Sequence, residues 1–120
     1  MRESGEMYLE TILVLKQKKE IVRAIDVAEE MELSRPSVSR GLGKLREAEC
    51  LTVAPNGNLE FTDKGRAIAE KIYERHRVLS FLLTKIGVDE KVAADDACRI
   101  EHVISDETFA ALKACAKEMK

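Results

Sequence analysis

Tryptophan is absent from the 120-residue sequence, aromatic residues make up only 4% of it, and prolines number two. With Lys, Glu, Ala, Leu and Ile abundant instead, a sheet sandwich is disfavoured and a mostly helical chain is expected. Cysteines are also few: Cys50, Cys98 and Cys115 are an odd number with no CxxC spacing, so a disulfide framework is not indicated and reduced thiols are expected. No run approaches the roughly 20 apolar residues that cross a bilayer. The N-terminal Met1-Arg2-Glu3-Ser4-Gly5-Glu6 is acidic and unlike a signal or transit peptide, which predicts no membrane partner and a cytoplasmic location. Internal repeats, low-complexity tracts and flexible linkers are missing as well.

What is present suffices for folding. The chain is 45% hydrophobic and 35% charged, too apolar for disorder and too short for a large multi-domain enzyme. A chain of this size hides a limited share of its surface, so a spare apolar face covered by a second copy, a homodimer, is expected. The net charge of -2 does not by itself announce a nucleic-acid binder. Its distribution does more: residues 34–46 carry Arg35, Arg40, Lys44 and Arg46 without one acid, while residues 89–120 are predominantly acidic. A basic stripe beside an acidic remainder suits a protein that touches DNA with one element.

Apolar spacing predicts a first helix over 6–18 with Ser4 as its cap, and a short second helix from Asp26 to Met31. After the break Glu32-Leu33-Ser34, a third helix opens with Ser34-Arg35-Pro36 and runs through Val38, Leu42 and Leu45. Two helices joined by a short turn, the second capped and basic, form a helix-turn-helix pattern. Leu51–Ala54 and Leu59–Thr62 flank the turn Pro55-Asn56-Gly57-Asn58 and read as a hairpin wing. A long helix from Thr62 or Asp63 to about Leu83 carries the stripe Ile68, Ile72, Leu79 and Leu83 and ends near Gly87. Helices over 89–103 and 106–119 follow, separated by the capping pair Ser105-Asp106. The expected architecture is mostly helical, a winged helix-turn-helix domain over 1–64 and a second, helical domain over 65–120.

Two groups of residues carry chemistry. Ser34, Arg35, Pro36, Ser37, Ser39, Arg40 and Lys44 crowd the start of the third helix, where side chains meet base edges and phosphates in a major groove. Asn56 and Asn58 at the wing tip suit phosphate or minor-groove contact, and equally suit a plain turn. On the fifth helix Cys98, Glu101 and His102 stand at i, i+3 and i+4, so that thiolate, carboxylate and imidazole share one face able to hold a divalent transition metal. The same residues fit a core cysteine, a surface acid and a satisfied histidine, and spacing alone does not choose.

The stretches Glu6-Met7-Tyr8-Leu9-Glu10-Thr11-Ile12, Arg75-His76-Arg77 and Asp96-Ala97-Cys98-Arg99-Ile100-Glu101-His102-Val103-Ile104-Ser105-Asp106 resemble the diphtheria toxin repressor family of iron- and manganese-dependent transcriptional repressors. The resemblance runs over essentially the whole chain. It implies a winged-helix domain, a helical dimerisation domain, and binding of double-stranded operator DNA as a homodimer when loaded with Fe(II) or Mn(II). In length the chain resembles the two-domain manganese branch, which lacks the third barrel domain of some relatives. Met7, Cys98, Glu101 and His102 match the primary metal site of the iron branch. Glu10 and His76 match ligands of the manganese branch, so the pattern is a hybrid. The companions of His76 in the ancillary site of the iron branch are here Ser80 and Ala94, which argues against a full site of that kind. The implied mechanism is a clamp: the ion orders the N-terminal turn and holds two recognition helices about 34 Å apart, one DNA turn.

Two other readings fit the residues less well. A metal hydrolase using Glu101 as base lacks a second acid-base pair and a Gly-rich loop. A regulator that senses oxidation through Cys98 without metal, with Arg99 beside it, lacks a resolving cysteine placed by sequence. Cys50 and Cys115 are expected in the core.

Overall fold

The computed structural model describes residues 3–120; Met1 and Arg2 of the acidic N-terminal stretch lie outside them. The elements are α1 (Glu3–Lys16), α2 (Ala24–Met31), α3 (Arg35–Glu47), β1 (Leu51–Val53), β2 (Leu59–Phe61), α4 (Asp63–Lys85), α5 (Glu90–Ile100) and α6 (Asp106–Glu118). They group into two compact units, Met1–Glu70 and Lys71–Lys120, with α4 contributing to both. The division expected at 64/65 falls in the first turn of that helix.

In the first unit, α1, α2 and α3 bury Leu9, Ile12, Val27, Val38, Leu42 and Leu45. Approach of α1 to α3 depends on Gly41, because a Cβ there would overlap the Tyr8 ring. The turn between α2 and α3 is a helix-terminating motif: Glu32 adopts the left-handed conformation (φ 54) and Leu33 N–H donates to the Ala28 carbonyl at 3.0 Å. Ser34 caps α3 as expected, its hydroxyl accepting from the Ser37 N–H at 3.3 Å. The wing is an antiparallel pair in the register Leu51 with Phe61, Thr52 with Glu60 and Val53 with Leu59. Gly57, at φ 88, supplies the tight turn.

The wing is tied down by bonds that sequence reading did not anticipate. Leu59 N–H donates to the Val22 carbonyl at 2.8 Å, and Arg23 Nε donates to the Asn56 carbonyl at 2.7 Å. Asn58 Oδ1 accepts from Val22 N–H at 3.0 Å and from Lys16 Nζ at 3.2 Å.

In the second unit, Ile72, Leu79, Leu82, Ala93, Ala97, Phe109 and Ala116 are buried. Gly87, at φ 107, ends α4, with Val88 N–H donating to the Leu83 carbonyl at 2.9 Å. Asp89 and Ser105 cap α5 and α6.

Several boundaries correct the sequence reading. Ser4 lies within α1 (Glu3–Lys16) and is not the residue that precedes it, as a cap would be. α2 begins at Ala24, because the Asp26 carboxylate accepts the Arg23 N–H at 2.8 Å from its third position. That bond first, and then Lys19, hold the Asp26 carboxyl below its usual range. α5 stops at Ile100, leaving Glu101 and His102 in the following turn. Cys50 is buried as expected, but Cys115 is exposed.

Candidate metal centre and nucleic-acid interface

Three donor atoms of different chemistry converge in the second unit. His76 comes from α4, Cys98 from the last turn of α5, and Glu101 from its C-cap, where φ -57 and ψ -26 prolong helical geometry by one residue. That extra helical residue keeps Cys98 and Glu101 one turn apart, so both reach His76. The ligand atoms of the three lie within 4.8 Å of one another. His76 Nδ1 is 3.1 Å from Glu101 Oε2 and 3.8 Å from Cys98 Sγ. His102 meets the other carboxylate oxygen, its Nε2 3.4 Å from Glu101 Oε1. The expectation that Cys98, Glu101 and His102 project from one helical face is thereby modified: His102 follows the end of α5, and His76 takes its place beside the thiol.

This arrangement fits a divalent transition metal. Two metal-ligand bonds of about 2.0–2.3 Å place donors no more than roughly 4.6 Å apart, close to the separations found here. Glu101 is completely buried, and its Oε1 accepts no hydrogen bond among the described residues. A buried carboxylate so weakly served is costly unless a cation meets it. The Cys98 sulfur first, and Glu101 next, push the His76 imidazole up from 6.5 to about 10 against the opposing effect of burial.

Other residues singled out from sequence fall as follows. Met7 and Glu10 are on α1 in the first unit, Met7 38% exposed and Glu10 half-buried. Ser80 and Ala94 line a cleft of about 820 Å³ with His76, Phe81, Lys113 and Ala116. Between them Ser80 and Ala94 carry a single hydroxyl.

Arg75, quoted in the sequence only as a neighbour of His76, has the second unit's most elaborate contacts. Only 5% exposed, it donates through Nη1 to the carbonyls of Glu101 (3.1 Å) and Ile104 (2.8 Å) and through Nη2 to Asp106. Its guanidinium lies 5.3 Å from the centre of the Phe109 ring. Lys71 also holds Asp106, at 2.9 Å, and these cations, Lys71 foremost, keep that carboxyl below its usual range. No sequence spacing signals a link of this kind, because its partners lie 26 to 31 residues away.

The basic stripe in the first unit is solvent-facing. Ser34, Arg35, Pro36, Ser39, Arg40 and Lys44 are exposed and Ser37 is half-buried, whereas Val38, Leu42 and Leu45 face the core. Ser34 Oγ donates to Ser37 Oγ at 2.9 Å, and Arg40 Nη2 donates to the same hydroxyl at 3.3 Å, so the cap and the cation are joined. The N-terminal turn of α3 thus presents hydroxyls and positive charge together, the combination that phosphate backbones and guanine edges accept. At the wing, Asn56 is exposed, but its Oδ1 closes the turn by accepting Asn58 N–H at 2.9 Å. Asn58 serves as the anchor described above.

Comparison with known proteins agrees with both halves. Residues 1–59 match the family model of the iron-dependent repressor N-terminal DNA-binding domain, and residues 62–120 match that of the iron-dependent repressor metal-binding and dimerisation domain. The diphtheria toxin repressor of Corynebacterium efficiens is 39% identical over 106 residues, covering 88% of this chain and 46% of the relative. An HTH-type transcriptional regulator of Methanocaldococcus jannaschii is 31% identical over 122 residues, covering 100% of this chain and 98% of its own length. A solved manganese-dependent transcriptional repressor in complex with manganese superposes with a TM-score of 0.86 at 27% identity, over 94% of this chain and 52% of that one. The chain spans about half the length of the diphtheria toxin repressors it matches. With a winged helix-turn-helix, a mixed thiol, imidazole and carboxylate cluster, and family models matched in succession along both halves, the chain belongs to the iron-dependent repressor family of metal-dependent transcriptional repressors.

Proposed function

We propose that the protein is a divalent-metal-dependent transcriptional repressor. Loaded with Fe(II) or Mn(II), it binds double-stranded operator DNA as a homodimer in the cytoplasm and controls metal homeostasis. The domain division is taken as 1–64 for DNA binding and 65–120 for metal binding and dimerisation. The observation that carries the reading is the convergence of His76, Cys98 and Glu101 on one point, in a chain whose other unit exposes a capped basic helix.

In this reading His76, Cys98, Glu101 and His102 are metal ligands. Met7 and Glu10 join the set on the strength of the family pattern. A bound ion supplies the charge that balances Glu101 and a thiolate at Cys98. His76 would give up its proton to bind, and the Glu101 carboxylate, fully buried beside it, would face the same ion. Ser34, Arg35, Pro36, Ser37, Ser39, Arg40 and Lys44 meet the major groove, with Asn56 at the wing tip beside the backbone.

The test is selection from a randomised duplex pool under reductant, with Fe(II) (anaerobic), with Mn(II), or with chelator. A two-fold symmetric sequence should be enriched with metal only. Equal enrichment in chelator, or none with either metal, overturns the reading.

A further inference from the structure

We infer that Arg75 is a positioning residue for the metal centre: its guanidinium holds the turn after α5 in the shape that presents the Glu101 carboxylate to His76 and Cys98. The inference rests on the metal-binding reading above and adds to it a residue that is not a ligand.

Residues 101–104 form the turn between α5 and α6, Glu101 still in helical geometry as the cap of α5 and the rest outside either helix. The backbone hydrogen bonds of this turn run from Glu101 N–H to the Ala97 carbonyl and from Val103 N–H to the Ile100 carbonyl, both 3.0 Å. The carbonyls of Glu101 and Ile104 are instead taken by one nitrogen, Arg75 Nη1. A single donor thus pins the first and last residues of the turn, while Nη2 fastens the fork to Asp106 at the start of α6. Arg75 immediately precedes His76, so one turn of α4 supplies both a metal ligand and the brace that fixes the ligand opposite. The separation of His76 Nδ1 from Glu101 Oε2 therefore depends on two attachments of the same short stretch of helix.

Packing alone does not account for an arginine here. A buried cation is expensive, and an apolar side chain of similar volume would fill the space without that cost. What the guanidinium adds is direction, since its planar fork fixes several acceptors at once. Lysine, a point charge, would retain the attraction and lose the geometry. Residues that orient ligands in this way typically change metal affinity about 10- to 100-fold when replaced.

The experiment is Co(II) titration of the full chain under reductant, reading the visible and thiolate-to-cobalt absorption bands together with helical circular dichroism of the metal-free protein. Arg75→Lys should keep the helical signal, bind Co(II) about tenfold or more weakly, and show altered bands. Asp106→Asn, at an exposed site that frees Nη2 of Arg75 together with the solvent-exposed Lys71 and leaves Nη1 in place, should weaken binding about threefold. Glu107→Gln, which removes the same charge from the same turn of α6, should leave binding unchanged. Wild-type affinity and bands in Arg75→Lys would overturn the inference. Should Arg75→Lys not fold, Asp106→Asn decides, and unchanged affinity in it overturns the inference equally. A wild-type chain that produces no cobalt band sinks the metal reading itself and the inference with it, whereas wild-type binding shared by the Arg75 and Asp106 variants sinks the inference alone.

Discussion

Glu101 is the residue on which the second unit turns. It is fully buried, shared between His76 and His102, and displayed by a helix cap whose carbonyl belongs to Arg75. The raised His76 value has two consequences of opposite sign. In the metal-free protein the imidazolium's contribution to stability is complete below its unfolded value of 6.5 and is lost as pH rises through about 10. Metal binding, which must displace that proton, strengthens over the same range, about tenfold per pH unit for each proton released. Calorimetric titration with Mn(II) between about pH 6.5 and 8.5 checks this, and a pH-independent affinity would contradict it. Ligand softness gives a second expectation. Thiolate and thioether donors favour Fe(II) and later metals over Mn(II), so Cys98→Glu should raise the Mn(II) response relative to Fe(II) by several-fold in DNA binding. An unchanged ratio would remove Cys98 from the determinants of selectivity.

At the scale of elements, α3 is the most fully legible in sequence and α5 the least. Ser34 and Pro36 mark the start of α3 through purely local physics, a hydroxyl cap and a preset φ, and Pro-Asn-Gly-Asn does the same for the wing. The end of α5 is set from outside: no glycine follows it, and the carbonyls of Glu101 and Ile104 are taken by a guanidinium from α4. Local patterning cannot report a donor 26 residues away. The same holds for Asn58, legible as a turn former and found to anchor the wing to Val22 and Lys16. Cys98 and Glu101 were legible as a pair because a helical period connects them, while their meeting with His76 is tertiary and entered only through family resemblance. Two predictions belong here. Arg40→Ala should weaken operator binding by about 1–3 kcal/mol and relax base preference while metal affinity stays put, as gel-shift and calorimetric titrations would report. Gly41→Ala should lower stability by about 1–3 kcal/mol in denaturant unfolding, since the new Cβ meets the Tyr8 ring. Unchanged stability would mean the ring moves aside freely.

For the molecule as a whole, the apolar residues of the second unit divide into two roles. Phe109 is buried within its own unit beneath Arg75, while Val103 is 71% exposed and Ile86 and Val92 are exposed with it. Sedimentation at micromolar concentration should give a dimer, and Val103→Asp should shift it at least tenfold towards monomer. A wild-type monomer with and without metal would count against dimerisation by this face. No helix among the described residues is long and apolar enough to cross a membrane. One further consequence lies in the two sides of α3. Val38, Gly41, Leu42 and Leu45 meet the interior, and Ser39, Arg40 and Lys44 meet solvent, with no residue in both groups. Under the proposed reading, substitutions at the outer three would redirect the protein to a different promoter while leaving its folding undisturbed, so a lineage carrying this scaffold would be free to rewire which genes answer to metal one base contact at a time.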